Sequence, residues 1–352
     1  MANLVTITRA GRLVLKFGGL FLGAIFLIYI FVKGGTIFRQ LFFPKPPPPP
    51  AQAFGKLPHI AFPKKGESGI NYTVNTVDGK LPSLANRIDV YALLTTEPDL
   101  LALQKAKTTL DSMNFVENQF KRSDTVYQWT QSRTGIVINY DIVNKNFTIN
   151  SNYLNNPSLI STTLLPSETD IVRDVSNYLK SIEAETENID FDRAKVELLE
   201  LQNGSLVGAQ NLGNARLARV TLVQKNVGDT PIIYGALEDS LLTFIVSYPS
   251  NSIQLLDGTF YNYQIDESKK SDYPVKTAEQ ALEDLKSGNG YTINPQNLTD
   301  VDITNVELKY YLPRESNGYL LPVFVFTGIN FTGFVEALPN TSIQDQSSAG
   351  SE

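Results

Sequence analysis

Histidine, whose side chain most readily exchanges protons near neutral pH, occurs once in this chain of 352 residues, at position 59. Serine–histidine and cysteine–histidine catalysis both need a histidine inside a folded cleft. His59 closely follows a proline-rich stretch and lies outside any predicted core, so we interpret it as a linker residue. The chain has no cysteine, which excludes disulfides, thiolate zinc sites, a thiol nucleophile and a lipidated cysteine. These residue types therefore predict no catalytic residue, no metal site and no cofactor.

Two pairs of alternating aspartates are the remaining candidates for chemistry. Asp190 and Asp192 form one pair, and Asp300 and Asp302 the other; alternation places both carboxylates of a pair on one face of an extended chain. Such pairs bind calcium or act as the acid and base of a glycosidase. Neither stretch has the D-x-D-x-D-G spacing with a distal glutamate, so we interpret all four as solvated loop residues. A carboxylate-based hydrolase of envelope glycans stays as an alternative function.

The charge distribution and the absence of several catalytic and phosphate-binding motifs exclude further classes of function. The net charge of −6 is uneven, because residues 1–50 carry six lysines and arginines and no acid, which leaves −12 on the remaining residues. An acidic folded part repels phosphate backbones, so we expect no nucleic-acid partner. The sequence contains no G-x-G-x-x-G or G-K-S/T phosphate loop and no G-x-S-x-G or S-x-x-K motif.

An apolar segment near the N-terminus is the first predicted structural element of the chain. Residues 17–32, FGGLFLGAIFLIYIFV, are uncharged, and at ~1.5 Å per residue they form a helix of roughly 24 Å. Residues 13–15, with Lys16 and Lys33 directed toward the head groups, extend it to the ~30 Å of a bilayer core. We predict one transmembrane helix with its exit at residues 17–38, which contacts membrane lipid through residues 17–32. A cleaved signal peptide is the alternative.

The flanks of this helix bear on its orientation. Basic residues are almost balanced between the predicted cytoplasmic tail, residues 1–16, and the residues after the helix, so the positive-inside rule alone does not decide. We place the N-terminus in the cytoplasm and the long acidic part outside it, because that part has no other anchor. Residues 39–56 form a Pro-rich linker, and residues 44–50 within it favour a polyproline II spacer of roughly 20 Å over a ligand of an SH3-type domain.

The rest of the chain predicts an α+β fold, with antiparallel sheets and three helices packed on one face. Caps and apolar spacing predict helices over residues 98–113, 167–183 and 278–287. Hairpin turns are predicted at Thr134-Gly135, Asn144-Lys145 and Asp257-Gly258. The predicted strands cover residues 70–76, 87–94, 125–132, 135–143, 146–151, 194–201, 215–223, 241–248, 252–256, 259–265, 303–312, 319–327 and 331–337.

Composition suggests how this part is divided. Residues 154–166 are rich in asparagine, serine, threonine and proline, which is typical of a connection between compact units. We therefore predict a first α+β subdomain over residues 57–160 and a second over residues 161–339. Residues 340–352 lack hydrophobic periodicity and predict a disordered tail.

Residues 266–339 carry a resemblance to a known family. They read DESKKSDYPVKTAEQALEDLKSGNGY, then ITNVELKYYLPRESNGYLLPVFVFTG, then GFVEALP. A capped helix precedes a strand with Tyr310-Tyr311, and a hairpin with Asn317-Gly318 leads into an apolar strand. This order resembles the extracytoplasmic domains of the YycH/YycI type, more loosely the PepSY class, and single-pass membrane proteins of small-genome bacteria. The resemblance implies a membrane-anchored regulator that restrains a sensor histidine kinase, and it carries over no catalytic residue.

Three functions follow as hypotheses. The first is a membrane-anchored extracytoplasmic binding or regulatory module without catalytic activity, with another membrane protein of a bacterial envelope as its partner. The second is the glycan hydrolase, which needs two carboxyl groups about 5–10 Å apart in a cleft. The third is a structural or lipid-binding ectodomain, which needs a deep apolar pocket.

Overall fold

The computed structural model describes residues 15–26, 29–31, 33, 49–115, 117–234 and 241–345. The chain divides into two units, Met1–Pro49 and Pro50–Glu352. In the first unit, residues 15–26, 29–31 and 33 are helical and their side chains are exposed. Among the described residues, no helix has both the length and the apolar composition needed to cross a membrane.

Several predictions for the termini concern residues that are not described. Residues 27, 28 and 32 of the predicted transmembrane helix lie outside the described residues, as do residues 1–14 and 34–48. The cytoplasmic tail and most of the Pro-rich linker are thus outside them. The same holds for residues 346–352 of the predicted disordered tail.

The second unit contains three α-helices and seventeen β-strands among its described residues. The helices are α1 (Ala102–Ser112), α2 (Glu168–Ser181) and α3 (Ala278–Lys286). The strands are β1 (Asn71–Val74), β2 (Arg87–Leu93), β3 (Glu117–Lys121), β4 (Val126–Thr130), β5 (Val137–Asp141), β6 (Phe147–Asn150), β7 (Ile189–Gln202), β8 (Ser205–Gly208), β9 (Leu217–Gln224), β10 (Ile232–Ile233), β11 (Leu242–Ser247), β12 (Gln254–Phe260), β13 (Ile265–Pro274), β14 (Tyr291–Ile293), β15 (Asp300–Tyr311), β16 (Tyr319–Gly328) and β17 (Phe331–Glu336).

A nine-stranded antiparallel sheet has the order β3-β4-β5-β6-β12-β11-β9-β7-β8. Aromatic side chains from neighbouring strands fill its core. The ring of Phe147 stacks on Phe260 at 5.4 Å and on Phe244 at 6.0 Å between centroids, and Trp129 is almost fully buried in the same cluster. Stacked aromatic rings of this kind stabilise a core beyond the apolar area that they bury.

Helices α1 and α2 pack on this sheet. Ser167 caps α2, because its hydroxyl oxygen accepts a hydrogen bond from the Asp170 N–H at 3.2 Å. The residues that α2 buries recur every three or four positions, as an amphipathic helix requires. They are Ile171, Val175, Tyr178 and Leu179, and they join the same cluster as Ala106 and Leu110 of α1.

An eight-stranded sheet contains the path β1-β15-β16-β17-β14, with β2 paired to β16 and β13, and β10 paired to β15. The β1 and β10 pairings with β15 are parallel and the others are antiparallel. Helix α3 packs on this sheet. Its capping box joins Thr277 and Gln280, and its buried face contacts a cluster that contains Phe324, Phe326 and Val335.

The α+β class with antiparallel sheets is confirmed, but the predicted layering is wrong. The three predicted helices are present in the second unit, and the helical residues of the first unit add a fourth. They do not share one face: α1 and α2 pack on the nine-stranded sheet, and α3 packs on the eight-stranded sheet. Caps and apolar stripes specify a helix locally, but they do not specify which sheet will receive its apolar face.

Strand pairing crosses the predicted boundary at residue 160. Strand β6 pairs with β12 in the nine-stranded sheet, and β2 pairs with β13 and β16 in the other. Residues on both sides of the predicted boundary therefore share both sheets. Two short 3₁₀ turns, Tyr153–Asn155 and Pro157–Leu159, lie at the start of the Asn/Ser/Thr/Pro-rich residues 154–166.

Two of the three predicted hairpin turns are present. Gly135 and Lys145 have φ of 69° and 57°, and they link β4 to β5 and β5 to β6. The turn at Asp257-Gly258 is wrong, because both residues lie inside β12. Gly258 is required there by close approach: a Cβ would lie 2.3 Å from the Thr243 oxygen of β11. The predicted strand over 259–265 is also wrong, because residues 261–264 connect β12 to β13.

Both ends of the second unit fold onto its body, contrary to prediction. Leu57, which is fully buried, forms a parallel bridge with Ile343, which is 3% exposed. Residues 51–56 of the predicted linker and residues 340–345 of the predicted tail thus belong to the folded unit. We call residues 51–62 the strap, because they run across the ends of several strands and bind to them.

Candidate binding cleft

A cleft of about 560 Å³ lies beside the strap, and this volume is typical of ligand sites. Three parts of the chain surround it. They are the end of the strap with the residues after it (residues 59–62, Lys64 and Lys65), the surroundings of α3 (Lys276, Asp284 and residues 288–290), and the C-terminal segment (Glu336, Asn340 and residues 343–345).

His59 and Glu336 hold one wall in place. Glu336, the last residue of β17, has a side chain only 16% exposed, and its Oε2 lies 3.0 Å from His59 Nδ1. The N–H of Ile60 donates a hydrogen bond to the other carboxylate oxygen, Oε1. The pair is an ion pair when the imidazole is protonated. The interpretation of His59 as a linker residue is therefore wrong, because its side chain is bound to a strand of the eight-stranded sheet.

Lys276 and Asp284 form a second pair across α3. The two residues lie just before the helix and in its second half, and Nζ is 2.8 Å from Oδ2. The Lys276 side chain is 11% exposed, so this pair is screened less by solvent than a surface pair. The Lys276 N–H also donates to the Ala337 oxygen at 2.8 Å, which fixes the start of α3 against the residue after β17.

Main-chain hydrogen bonds join the strap to the C-terminal segment. The Leu57 N–H donates to the Ser342 oxygen at 2.9 Å, and the Gln344 N–H donates to the Leu57 oxygen at 2.8 Å. Lys56 Nζ lies 3.7 Å from Asp345 Oδ2. The third wall of the cleft is thus held by the strap itself.

The earlier part of the strap is held by aromatic side chains. The Phe54 ring lies 5.3 Å from the Tyr319 ring, and the Tyr273 hydroxyl donates to the Gly55 oxygen at 2.9 Å. Strap residues therefore bind to β13, at an edge of the eight-stranded sheet, and to β16 and β17 in its interior.

The predicted aspartate pairs lie in strands β7 and β15, not in loops as predicted, and outside the cleft lining. Arg193 Nε donates to Asp190 Oδ2 at 2.7 Å, and this hydrogen bond lowers the pKa of that carboxyl. Asn71 Nδ2 donates to Asp300 Oδ1 at 3.0 Å, and this hydrogen bond lowers the pKa of Asp300. Among the described residues, no three histidine, cysteine, aspartate or glutamate side chains cluster as metal ligands would.

A second cavity, of about 260 Å³, lies beside α1 and is lined by Asp99, Lys105, Tyr140 and Glu183 among others. Lys105 Nζ contacts Asp99 Oδ2 at 2.5 Å, so its exposed lysine is already paired. The smaller volume and the paired lysine make the cleft at the strap the stronger candidate for a ligand site.

Sequence reasoning missed the residues of the cleft. His59 and Glu336 are 277 positions apart, and nothing in the local sequence of either indicates the other. One signal was present: Lys64 and Lys65 stand side by side in a part of the chain with a net charge of −12. A local excess of positive charge in an acidic protein indicates a site for an anionic partner.

Comparisons with known proteins give structural matches with low scores. No family model matches the chain, and no curated protein matches its sequence. The C-terminal domain of YpeB from Bacillus megaterium is 12% identical, with a TM-score of 0.29; the match covers 69% of this chain and 94% of that domain. YycH from Bacillus subtilis is 10% identical, with a TM-score of 0.32; the match covers 73% of this chain and 53% of YycH, about half its length. These matches confirm the weak resemblance to YycH that the sequence predicted, and the function must be argued from the residues of this chain.

Proposed function

We propose that this protein is a membrane-anchored module of the cell envelope that binds and regulates another protein without catalysing a reaction. One observation carries the proposal: the strap, which receives the chain from the proline-rich stretch, is itself a wall of the 560 Å³ cleft. A partner in the cleft therefore contacts the same segment that leads back toward the predicted membrane helix. Binding and tension on the anchor would act on one structural element.

The anchor in this proposal is the helix predicted over residues 17–32. The described residues of that stretch are helical, and several carry large apolar side chains that are exposed within their unit. Apolar side chains exposed over several turns of helix need an apolar surrounding. The six basic residues of positions 1–50 suit anionic lipid head groups. The proposal places the acidic second unit outside the cytoplasm.

The arrangement of charge in the cleft favours binding over hydrolysis. A glycosidase needs one carboxyl group to give up a proton and another to attack or to activate water. In this cleft Glu336 accepts hydrogen bonds from His59 and Ile60, and Asp284 accepts one from Lys276. These two carboxylates, and that of Asp345 at 3.7 Å from Lys56, therefore act within the protein, where they hold the walls of the cleft together.

The polar lining also favours a protein partner over a lipid. Charged side chains contribute to each of the three walls, whereas a site for an acyl chain is lined mainly by apolar side chains. A lipid carrier would bury such a chain between sheet and helices, and there the aromatic clusters around Phe147 and Phe324 are closely packed.

Photo-crosslinking in native membranes tests the proposal. A photoreactive amino acid replaces the exposed Ala61 in the cleft wall of the full-length protein, and a matched control places it at the exposed Lys107 of α1. We expect a discrete crosslinked product with a membrane protein from position 61 and none from position 107. Identical products from both positions, or none from position 61, would contradict the proposal. So would release of reducing sugars from envelope glycans by the purified protein that is lost in Glu336→Gln.

A further inference from the structure

We infer that the cleft recognises an acidic peptide segment, and that Lys64 and Lys65 contact its carboxylates. This inference rests on the proposed function, because it names the chemistry of the partner at the same cleft. It depends on three features of the cleft: the pairing of its charges, the exposure of the main chain beside the lysines, and the size of the space.

The charges of the cleft are paired except at one place. Glu336 is paired with His59, and Asp284 with Lys276. Asp345 is paired with Lys56, which does not itself line the cleft. Lys64 and Lys65 are exposed, and neither makes an ion pair or a side-chain hydrogen bond with any described residue. Two adjacent ammonium groups thus remain available to a ligand.

The main chain beside these lysines is available as well. Gly66 N–H donates to the Gly290 oxygen at 2.7 Å and Phe62 N–H donates to the Ile60 oxygen at 3.0 Å. Within residues 61–65, the N–H and C=O groups of Ala61, Lys64 and Lys65 have no hydrogen-bond partner among the described residues. The stretch bends at Pro63 and Lys64 and is not a strand, but its free N–H and C=O groups can exchange hydrogen bonds with the main chain of a bound peptide. A compact anion would use the lysines and leave these groups unused.

The volume fits a short segment, since about 560 Å³ is within the range of sites that enclose drug-sized ligands. The Asn289 and Asn340 side chains also line the cleft, and their amides donate hydrogen bonds to carboxylate or carbonyl oxygens. The net charge of −12 on the folded part opposes an acidic ligand at long range. Recognition therefore depends on the local contacts with the two lysines.

Fluorescence anisotropy with the full-length protein in detergent tests the inference. The probe is a fluorescein-labelled peptide in which glutamates alternate with valines, and the comparison peptide has glutamines in their place. The double variant Lys64→Ala/Lys65→Ala is compared with Lys80→Ala/Lys107→Ala, which removes two exposed lysines elsewhere. We expect the glutamate peptide to bind more tightly than the glutamine peptide, and only the first variant to weaken it, by about tenfold.

Three results would overturn the inference. They are equal binding of the two peptides, unchanged binding by Lys64→Ala/Lys65→Ala, and full displacement of the glutamate peptide by an equal concentration of inorganic phosphate. The last would assign the site to small anions. Fluorescence of the buried Trp129 checks that each variant is folded.

The crosslinking experiment separates this inference from the proposed function. If Lys64→Ala/Lys65→Ala still crosslinks from position 61 to the same partner with the same yield, the proposed function stands and acidic recognition is wrong. If the glutamate peptide binds as expected while position 61 captures no membrane protein, acidic recognition stands and the proposed partner is wrong.

Discussion

The Nδ1 atom of His59 lies 3.0 Å from the Oε2 atom of Glu336, although 277 residues separate them in the chain. This contact joins the segment that enters the folded unit to the last strand of the eight-stranded sheet. The same carboxylate accepts a hydrogen bond from the Ile60 N–H. Glu336 therefore determines where the strap lies and, with it, the position of one wall of the cleft.

The first prediction concerns this carboxylate. In Glu336→Gln the amide oxygen still accepts from Ile60, but the charge that attracts His59 is lost. We expect the free energy of unfolding to fall by about 1 kcal/mol and amide hydrogen exchange to increase in residues 57–62. Hydrogen exchange followed by mass spectrometry measures the local effect, and urea denaturation measures the global one.

Glu187→Gln is the matched control, because the Glu187 side chain is exposed and distant in sequence from the strap. It should leave exchange at residues 57–62 unchanged. Equal exchange in Glu336→Gln and the wild type would show that the strap does not depend on this carboxylate.

The fold was predictable where short segments specify it. Ser167 and Thr277 cap α2 and α3, the apolar stripes follow within one or two turns, and both helices occur where predicted. Strand β13 was not predicted, because its sequence IDESKKSDYP is charged and lacks apolar alternation. It forms by pairing with β2, and its middle residues stay exposed. Such a strand depends on a partner about 180 residues earlier in the chain, which its own sequence does not identify.

The cleft was not predictable for the same reason. Its first wall lies more than 200 residues before the other two in the chain. The proline-rich composition before residue 51 led to the prediction that residues 51–56 are linker, yet the Gly55 oxygen accepts a hydrogen bond from the buried Tyr273. The helix predicted over residues 17–32 contrasts with the cleft, because composition alone predicts it. Its placement in a membrane stays a prediction.

A second prediction concerns Gly258, which occupies the interior of β12 with φ of 149°. In Gly258→Ala the new Cβ would lie 2.3 Å from the Thr243 oxygen and 2.8 Å from the Phe244 ring. Because these atoms belong to the core of the nine-stranded sheet, we expect a loss of about 2–4 kcal/mol in the free energy of unfolding. Urea denaturation followed by Trp129 fluorescence measures it.

Gly208→Ala provides the control for this effect. A Cβ at Gly208 would meet only the Glu197 Oε1, at 4.0 Å, and its φ is not positive. This variant should be within about 0.5 kcal/mol of the wild type. Similar losses in the two alanine variants would show that close approach at Gly258 is not what requires glycine.

A third prediction uses the half-buried carboxyl of Asp257. Burial raises the pKa of this carboxyl above its ordinary value of 3.8. The pKa of this carboxyl is higher in the folded state than in the unfolded state. Its contribution to the free energy of unfolding is therefore complete at pH values below the unfolded-state pKa, and it is lost as the pH rises through the folded-state pKa. Asp257→Asn should therefore match the wild type near pH 3 and be more stable than it at pH 7.

Asp190→Asn should change the stability of the protein at pH 7 in the opposite direction. The hydrogen bond from Arg193 lowers the pKa of Asp190, so its contribution is present above the unfolded pKa and is lost as pH falls through the folded one. This variant should be less stable than the wild type at pH 7, and the difference should shrink as the solution is acidified. Denaturation at several pH values measures the free energy of unfolding of both variants. If it changes with pH in the same way for the two variants, the directions assigned to the two pKa shifts are wrong.

The fourth prediction tests the anchor and its orientation, and it exploits the absence of cysteine from the chain. A single cysteine in Lys107→Cys lies on the exposed side of α1, in the unit that the proposal puts outside the cytoplasm. A second variant, Ala2→Cys, puts the cysteine in the predicted cytoplasmic tail. In spheroplasts, a membrane-impermeant maleimide should label position 107 as fully as it does after lysis, and label position 2 only after permeabilisation. Labelling in the reverse order would overturn the orientation, and recovery of the intact chain in the soluble fraction would overturn the anchor, since a helix of residues 17–32 buried in lipid holds the protein in the membrane.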